Sequence, residues 1–200
     1  MSDKYRTIQS RASAEFKEKG SKFISQIFPV QSREKAEEIV SSVKKDYHDA
    51  THNCSAFRVG IGDDAVYHYD DDGEPSGTAG QPIYQAIVGA DLTDVLIVVT
   101  RYFGGTKLGT GGLIRAYGAA ANRAIEDAKV ITKYLAETLT IHTTYDDISQ
   151  VMRVLDEVDG KILRQDYGEG IVLKVAVRKS LAPQFTRKLT DLTAGRIEIE

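Results

Sequence analysis

VLIVVT, residues 95–100, runs directly into RYFGGTKLGTGGLIRAYGAAANRAIEDA, residues 101–128. The first segment is an apolar run rich in β-branched residues, which is typical of a strand buried on both faces. The glycines after it predict a turn. Small and apolar residues then share one helical face: Leu113, Tyr117, Ala120, Ala121, Ala124 and Ala128. The stretch is therefore predicted to be a strand, a glycine loop and a helix that packs closely on a sheet.

The residues before this stretch alternate apolar runs with turn-forming residues, which predicts further strands and helices. In chain order we expect a hairpin over residues 14–30, a helix from an N-cap at Ser32 to near His48, short strands at residues 55–59 and 65–69, a polar loop at residues 70–80 and a short helix from Pro82 to Ile87.

From about Leu135 the pattern begins again and gives the order β-α-β-β-α-β, which is that of a ferredoxin-like domain. Residues 131–134 are the predicted linker, although they lack the Pro, Gly or Ser richness of a loose tether. We therefore expect an α+β protein with two closely coupled domains, residues 1–134 and residues 135–200.

The composition is that of an ordinary globular chain of 200 residues. Lys and Arg number 26 and Asp and Glu 29, so the formal net charge of −3 argues against a protein that coats nucleic acid by charge alone. The single cysteine, Cys54, excludes an internal disulfide framework and suits a reducing compartment. The N-terminus lacks the apolar core of a signal peptide, and no apolar run reaches about 18 residues. We expect a cytoplasmic protein with no membrane segment.

The small net charge hides a local asymmetry. Residues 59–100 contain no Lys or Arg but eight acids: Asp63, Asp64, Asp70, Asp71, Asp72, Glu74, Asp91 and Asp94. Residues 101–125 contain no acid but four cations: Arg101, Lys107, Arg115 and Arg123. An acidic block is therefore followed by a cationic block.

The cationic block coincides with the glycine loop and with the predicted start of a helix near Thr110. The glycine loop surrounds Lys107 and contains Gly104, Gly105, Gly109, Gly111 and Gly112. Glycines let a backbone approach a ligand closely, and free N–H groups at a helix start can bind an anion. This pattern predicts a nucleic-acid or anion site, in which cationic side chains add phosphate donors. Its candidate residues are Arg101, Lys107, Gly109, Thr110, Gly111, Gly112 and Arg115. The alternative is that the glycines only shape a tight turn and that the cations pair with neighbouring acids.

Known phosphate and metal loops do not fit the sequence. A Walker A loop needs lysine directly after its final glycine, and a dinucleotide fingerprint needs glycine where Ile114 stands. An EF-hand is rejected because Ala79 would occupy the position of its bidentate Glu. A looser magnesium site through Asp72 or Glu74 stays open, but acids in a hydrophilic turn are more often solvated or paired with cations. We therefore predict no metal site and no cofactor, and we assign no catalytic residue.

The acidic loop offers a second candidate ligand site, made of Asp72, Glu74, Ser76 and Thr78. The two hydroxyls are equally suited to capping the helix that follows. His48, His52 and Cys54 lie close together in the sequence, but no fourth ligand is evident, so structural roles are favoured over a zinc site.

Two stretches, DDGEPSGTAGQPI (residues 71–83) and RYFGGTKLGTGGLIRAYG (residues 101–118), resemble the signature of the Impact family. The resemblance extends over essentially the whole chain. It implies an N-terminal domain with the left-handed β-α-β topology of a small-subunit ribosomal protein domain and of elongation factor G domain four. The ferredoxin-like C-terminal half resembles another domain of elongation factor G.

For function the resemblance implies a role in translation. The eukaryotic relative acts on the starvation kinase with the help of an extra RWD module, for which we expect no room here, so that mechanism is not transferred. The leading hypothesis is a non-catalytic protein that binds RNA, the ribosome or a translation factor through the glycine loop. Two alternatives stay open: a small-molecule enzyme or phosphate- or nucleotide-binding protein that uses this loop with Asp72 or Glu74, and an adaptor whose charged blocks are only surface. The oligomeric state also stays open.

Overall fold

The structure is a computed structural model that describes residues 3–200. These residues form eleven β-strands and five α-helices, which confirms the α+β fold class. The chain divides into two compact units: the first unit is residues 5–132, and the second unit is residues 133–200 together with Asp3 and Lys4. Within residues 3–200 no helix has both the length and the apolar character that a membrane span requires.

The first unit contains a five-stranded sheet and three helices. The elements from Lys4 to Tyr134 are β1 (Lys4–Ile8), β2 (Ala12–Glu18), β3 (Ser21–Pro29), α1 (Arg33–Asp46), β4 (His52–Val59), a 3-10 turn (Gly62–Asp64), β5 (Val66–Asp70), α2 (Gly80–Gly89), β6 (Val95–Tyr102), α3 (Gly109–Glu126) and β7 (Val130–Tyr134). The sheet order is β2-β3-β6-β4-β5, and each neighbouring pair is antiparallel. Strands β5 and β6 are therefore parallel, and their connection through α2 passes over β4.

Helices cover both faces of this sheet. On one face α1 packs on Phe28, Phe57 and Leu96. On the other face α2 and α3 enclose a second core: Phe23, Ile83, Ile87, Ile97, Leu113, Tyr117, Ala120, Ala121 and Ala124. Residues 95–99 of the central strand β6 are fully buried because their side chains alternate between the two cores. The prediction of a strand buried on both faces is confirmed, and β6 delivers Arg101 and the glycine loop to one end of the sheet.

Strands β1 and β7 were not expected from the sequence. They pair with each other as a two-stranded sheet, and the N–H of Gln9 donates to the carbonyl oxygen of Lys129 at 2.9 Å. The stretch 131–134, predicted as a linker, is therefore hydrogen-bonded strand. This explains why it lacks the composition of a loose tether.

The second unit is a ferredoxin-like domain. Its elements are β8 (Ala136–Thr143), α4 (Ile148–Glu157), β9 (Lys161–Tyr167), β10 (Ile171–Arg178), α5 (Ala182–Leu192) and β11 (Glu198–Ile199). The sheet order β11-β8-β10-β9 and its antiparallel pairing confirm the predicted β-α-β-β-α-β arrangement. Two acids are buried beside arginines. Asp3 accepts hydrogen bonds from Arg178, and Asp147 accepts them from Arg196, each through both carboxylate oxygens.

Candidate functional site

The acidic loop, residues 70–80, meets the end of strand β6 at a buried ion pair. Arg101 Nη1 donates to Glu74 Oε1 at 2.6 Å, and the two side chains are only 6% and 4% exposed. The guanidinium also donates to Ser21 Oγ at 3.3 Å, and the Tyr117 hydroxyl donates to the same Glu74 oxygen at 2.7 Å. The acidic and cationic blocks therefore share a buried cluster, made of Ser21, Glu74, Arg101 and Tyr117.

Asp71 organises the acidic loop from within. Its carboxylate accepts from the backbone N–H groups of Gly77, Ala79 and Gly80 at 2.7, 2.9 and 2.8 Å. The last of these opens α2, and the first N–H groups of a helix have no partner within it. The N–H of Glu74 in turn donates to Asp71 O at 2.9 Å. Asp71 thereby caps α2 and fixes the backbone of Glu74 within the loop.

Asp72, a predicted ligand residue, is engaged by the fold. Lys44 Nζ lies 2.6 Å from Oδ1, and the N–H of Asn53 donates to Oδ2 at 2.6 Å. Burial lowers the pKa of Lys44, but hydrogen bonds and charge from Asp72 and Asp70 outweigh it and raise the pKa overall. The lysine therefore stays charged, and both oxygens of the Asp72 carboxylate are engaged by the fold.

The two hydroxyl residues of the acidic loop differ. The Thr78 side chain is buried and donates to Pro75 O at 2.6 Å, which closes the turn before α2. Ser76 is exposed, and its hydroxyl makes no hydrogen bond within residues 3–200. Of the predicted ligand residues in this loop, Asp72, Glu74 and Thr78 are thus tied into the fold.

Burial keeps the neighbouring thiol and phenol neutral. It raises the pKa of the Tyr117 hydroxyl far above its ordinary value, and nearby Cys54 and Glu74 add to the shift. Burial likewise raises the pKa of Cys54, whose thiol donates to Asp71 O at 3.0 Å. A thiol without thiolate character is a poor nucleophile. Cys54 is therefore a packing residue of the core.

The histidines do not form a ligand set with Cys54. His52 Nδ1 lies 2.7 Å from Asp72 O, and its Nε2 lies 3.9 Å from Glu74 Oε2. His48 lies beyond the end of α1, with Nδ1 3.3 Å from Lys45 O. Among the described residues, no three His, Cys, Asp or Glu side chains are grouped so as to hold a metal ion.

Glycine is required at some positions of the glycine loop and not at others. A Cβ on Gly104 would lie 1.8 Å from the backbone carbon of Gly20, so this close approach to the β2–β3 turn requires glycine. Gly105 and Gly109 have φ of +86° and +71°, which glycine adopts without strain. A Cβ on Gly111 would meet one side-chain atom at 3.6 Å, so packing does not require glycine there.

Exposed cations surround the start of α3. The helix begins at Gly109 with no side-chain cap and no acid in its first turn. Lys107 and Arg115 are exposed, and neither makes an ion pair within residues 3–200. Lys19, in the β2–β3 turn, lines the same depression as Arg115, beside one acid, Glu18, and was missed by the sequence analysis. We refer to Lys19, Lys107 and Arg115 as the cationic surface.

An open pocket of about 400 Å³ adjoins this surface, between the acidic loop, the end of β6 and the start of α3. We refer to it as the loop pocket. Its lining residues are Thr51, His52, Glu74, Pro75, Arg101, Phe103, Lys107, Leu108, Gly109, Thr110 and Leu113. The structure therefore brings Glu74, Arg101, Lys107, Gly109 and Thr110 together around one cavity, whereas the other predicted residues lie outside it.

The segment that carries this site matches a known domain. Residues 19–125 match the Impact N-terminal domain, and residues 141–196 match a domain of unknown function, DUF1949. The chain belongs to the Impact family. The cationic surface and the loop pocket both lie within its Impact domain.

Proteins of the Impact family are similar to this chain over most of its length. YigZ from Escherichia coli (strain K12) is 35% identical over 182 residues, which are 90% of this chain and 89% of that protein. YvyE from Bacillus subtilis (strain 168) is 34% identical over 196 residues, 98% and 90% of the two chains. The crystal structure of a hypothetical protein, 32% identical, matches with a TM-score of 0.74 and covers 100% of this chain and 97% of that one. The resemblance inferred from the two signature stretches is confirmed.

Proposed function

We propose that this Impact family protein is a non-catalytic cytoplasmic protein of translation, which binds single-stranded RNA, free or within the ribosome, through the cationic surface. The observation that carries the proposal is the pair of exposed cations, Lys107 and Arg115, beside an uncapped helix start. Family membership supports the link to translation, because the resemblance to the Impact family implies that role.

Three properties of the start of α3 favour the binding of a phosphate group. Its first N–H groups have no side-chain cap, so they and the helix dipole attract an anion. No acid in the first turn opposes this attraction. Gly111 carries no side chain that would keep a phosphate away from the backbone. Lys107 and Arg115 then add charge-assisted hydrogen bonds and release counterions from the bound strand.

Arg101 has a different role in this proposal. Its guanidinium is buried and paired with Glu74, and it lies over the rings of Phe23 and Phe103, 5.6 Å from each ring centre. We assign to Arg101 the positioning of the acidic loop and of Phe103, and we assign phosphate contact to Lys107 and Arg115.

The enzyme alternative receives less support from the geometry. It needs Asp72 or Glu74 as a free base or magnesium ligand. Asp72 already accepts from Lys44 and the Asn53 backbone, and one oxygen of Glu74 already accepts from Arg101 and a tyrosine hydroxyl. Only Glu74 Oε2 is left open for such a role, so binding through the exposed cations is favoured over catalysis.

The test is the salt dependence of RNA binding, measured by fluorescence anisotropy with a labelled U12 strand. Each phosphate contact on a single strand contributes about 0.7 to the slope of log K against log salt. We therefore expect Lys107→Ala/Arg115→Ala to lower the magnitude of the slope by about 1.4 and to weaken binding at every salt concentration.

The matched control is Lys161→Ala/Lys179→Ala, which removes two exposed cations of the second unit and changes the net charge equally. This variant should keep the original slope. An unchanged slope in Lys107→Ala/Arg115→Ala, or an equal loss in the control, would show that binding depends on total charge and would refute the proposal.

A further inference from the structure

Glu74 retains a carboxylate oxygen that makes no hydrogen bond within residues 3–200. Oε1 accepts from Arg101 and Tyr117, whereas Oε2 lies 3.9 Å from His52 Nε2, beyond hydrogen-bond length. Within residues 3–200 the only buried side-chain nitrogen or oxygen atoms without a partner are Ser25 Oγ and Arg101 Nε. Oε2 is therefore reached by solvent, although the Glu74 side chain is only 4% exposed and lines the loop pocket.

The loop pocket has the size and the walls of a small-ligand site. Its volume of about 400 Å³ lies within the usual range of roughly 300–1,000 Å³ for such sites. Pro75, Leu108 and Leu113 provide apolar walls, and the ring of Phe103, which is 46% exposed, lies at the edge. Proteins that bind single strands stack bases on exposed aromatic rings beside cationic grooves.

The pocket is continuous with the cationic surface. Lys107, Gly109 and Thr110 line it together with Glu74. Because Lys107, Phe103 and Glu74 line one pocket, we expect a nucleotide with its phosphate at Lys107 to place its base near Phe103 and Glu74. The phosphate would then be bound by a cation and a helix start, and the base by an aromatic ring and a carboxylate.

We propose that the loop pocket takes one unstacked guanine of the bound strand, whose N1–H and 2-amino groups donate to Glu74 Oε2 while the ring stacks on Phe103. The inference rests on the proposed function. Oε2 has two lone pairs to fill, and guanine is the base whose Watson–Crick edge presents two adjacent N–H donors. Adenine and cytosine place an acceptor beside their donor, and uracil places its N–H between two carbonyls. Each of these would turn an acceptor toward the carboxylate.

The test compares U12 with the same strand carrying one central guanine, each competing with labelled U12 in the anisotropy assay. The guanine strand should bind on the order of tenfold more tightly, as expected for one specific contact to a base edge. Inosine in place of guanine lacks the 2-amino group and should lose most of that gain. Phe103→Ala should reduce the preference, whereas Ile114→Ala, an exposed apolar residue of α3 outside the loop pocket, should retain it.

The comparison of guanine with inosine changes only the ligand, so its outcome does not depend on whether a variant folds. Equal affinity for the guanine and uracil strands, with binding still dependent on Lys107 and Arg115, would overturn the pocket inference and leave the proposed function standing. Tighter binding of an adenine strand would overturn the assignment of guanine. A slope unaffected by Lys107→Ala/Arg115→Ala would overturn the proposed function itself.

Discussion

The ion pair of Glu74 and Arg101 should be strongly coupled, because both side chains are removed from water. Glu74→Gln leaves a guanidinium that is 6% exposed without its anion, and Arg101→Met leaves a carboxylate that is 4% exposed without its cation. Removing one partner of a buried pair costs about 3–5 kcal/mol. The double variant contains no uncompensated charge. Its loss should therefore be smaller than the sum of the single losses by about 2–3 kcal/mol.

Hydrogen exchange of the slowest β6 amides measures the opening of the first unit. A loss of about 3–5 kcal/mol corresponds to exchange that is roughly 100- to 4,000-fold faster in each single variant. The control is the same double-mutant cycle on Arg33 and Glu37 of α1, whose side chains are 58% and 53% exposed. Its coupling should not exceed about 0.5 kcal/mol. Additive losses at Glu74 and Arg101, within about 0.5 kcal/mol, would refute the view that this pair ties the acidic loop to β6.

Two further predictions concern packing and pH. Gly104→Ala should lower the free energy of unfolding of the first unit by at least about 3 kcal/mol, because its Cβ would lie 1.8 Å from the Gly20 backbone. The control is Gly89→Ala, whose Cβ would meet nothing within 4 Å. Equal urea midpoints for the two variants would contradict the close approach. Hydrogen bonds from Arg196 hold the pKa of Asp147 below its usual range, so the stability gained is complete above the unfolded pKa of about 3.9 and is lost as the pH falls below it. The urea midpoint of the second unit should then fall less steeply on acidification in Asp147→Asn, and parallel curves for variant and wild type would count against this.

Strand β6, the glycine loop and helix α3 could be predicted because their signals are local: a β-branched run, clustered glycines and a helical face of small residues. The helix begins at Gly109, one residue before the predicted start. Strands β1 and β7 are short, and each depends on pairing with a strand at the other end of the first unit. A pattern within one segment carries no information about such a partner.

The contacts of the candidate site were not predictable for the same reason. In the sequence Arg101 and Lys107 are equivalent cations beside a glycine loop. In the fold Arg101 ends a buried strand and meets Glu74, 27 residues away, whereas Lys107 lies in the exposed loop. The role of Gly104 depends on Gly20, and the contribution of Lys19 depends on the same turn. Tertiary packing alone decides these assignments.

Packing also changes the charge that the site presents. In the sequence the acidic block balances the cations that follow it, but in the fold Asp70 and Asp72 hold Lys44, and Glu74 holds Arg101. Lys107 has no ion-pair partner among residues 3–200, so no carboxylate within ion-pair distance neutralises it. Glu74 Oε2 makes no hydrogen bond and lines the loop pocket, where a carboxylate attracts an N–H donor. A ligand that joins a phosphate to a donor-rich ring satisfies both groups, whereas a simple anion satisfies only the first.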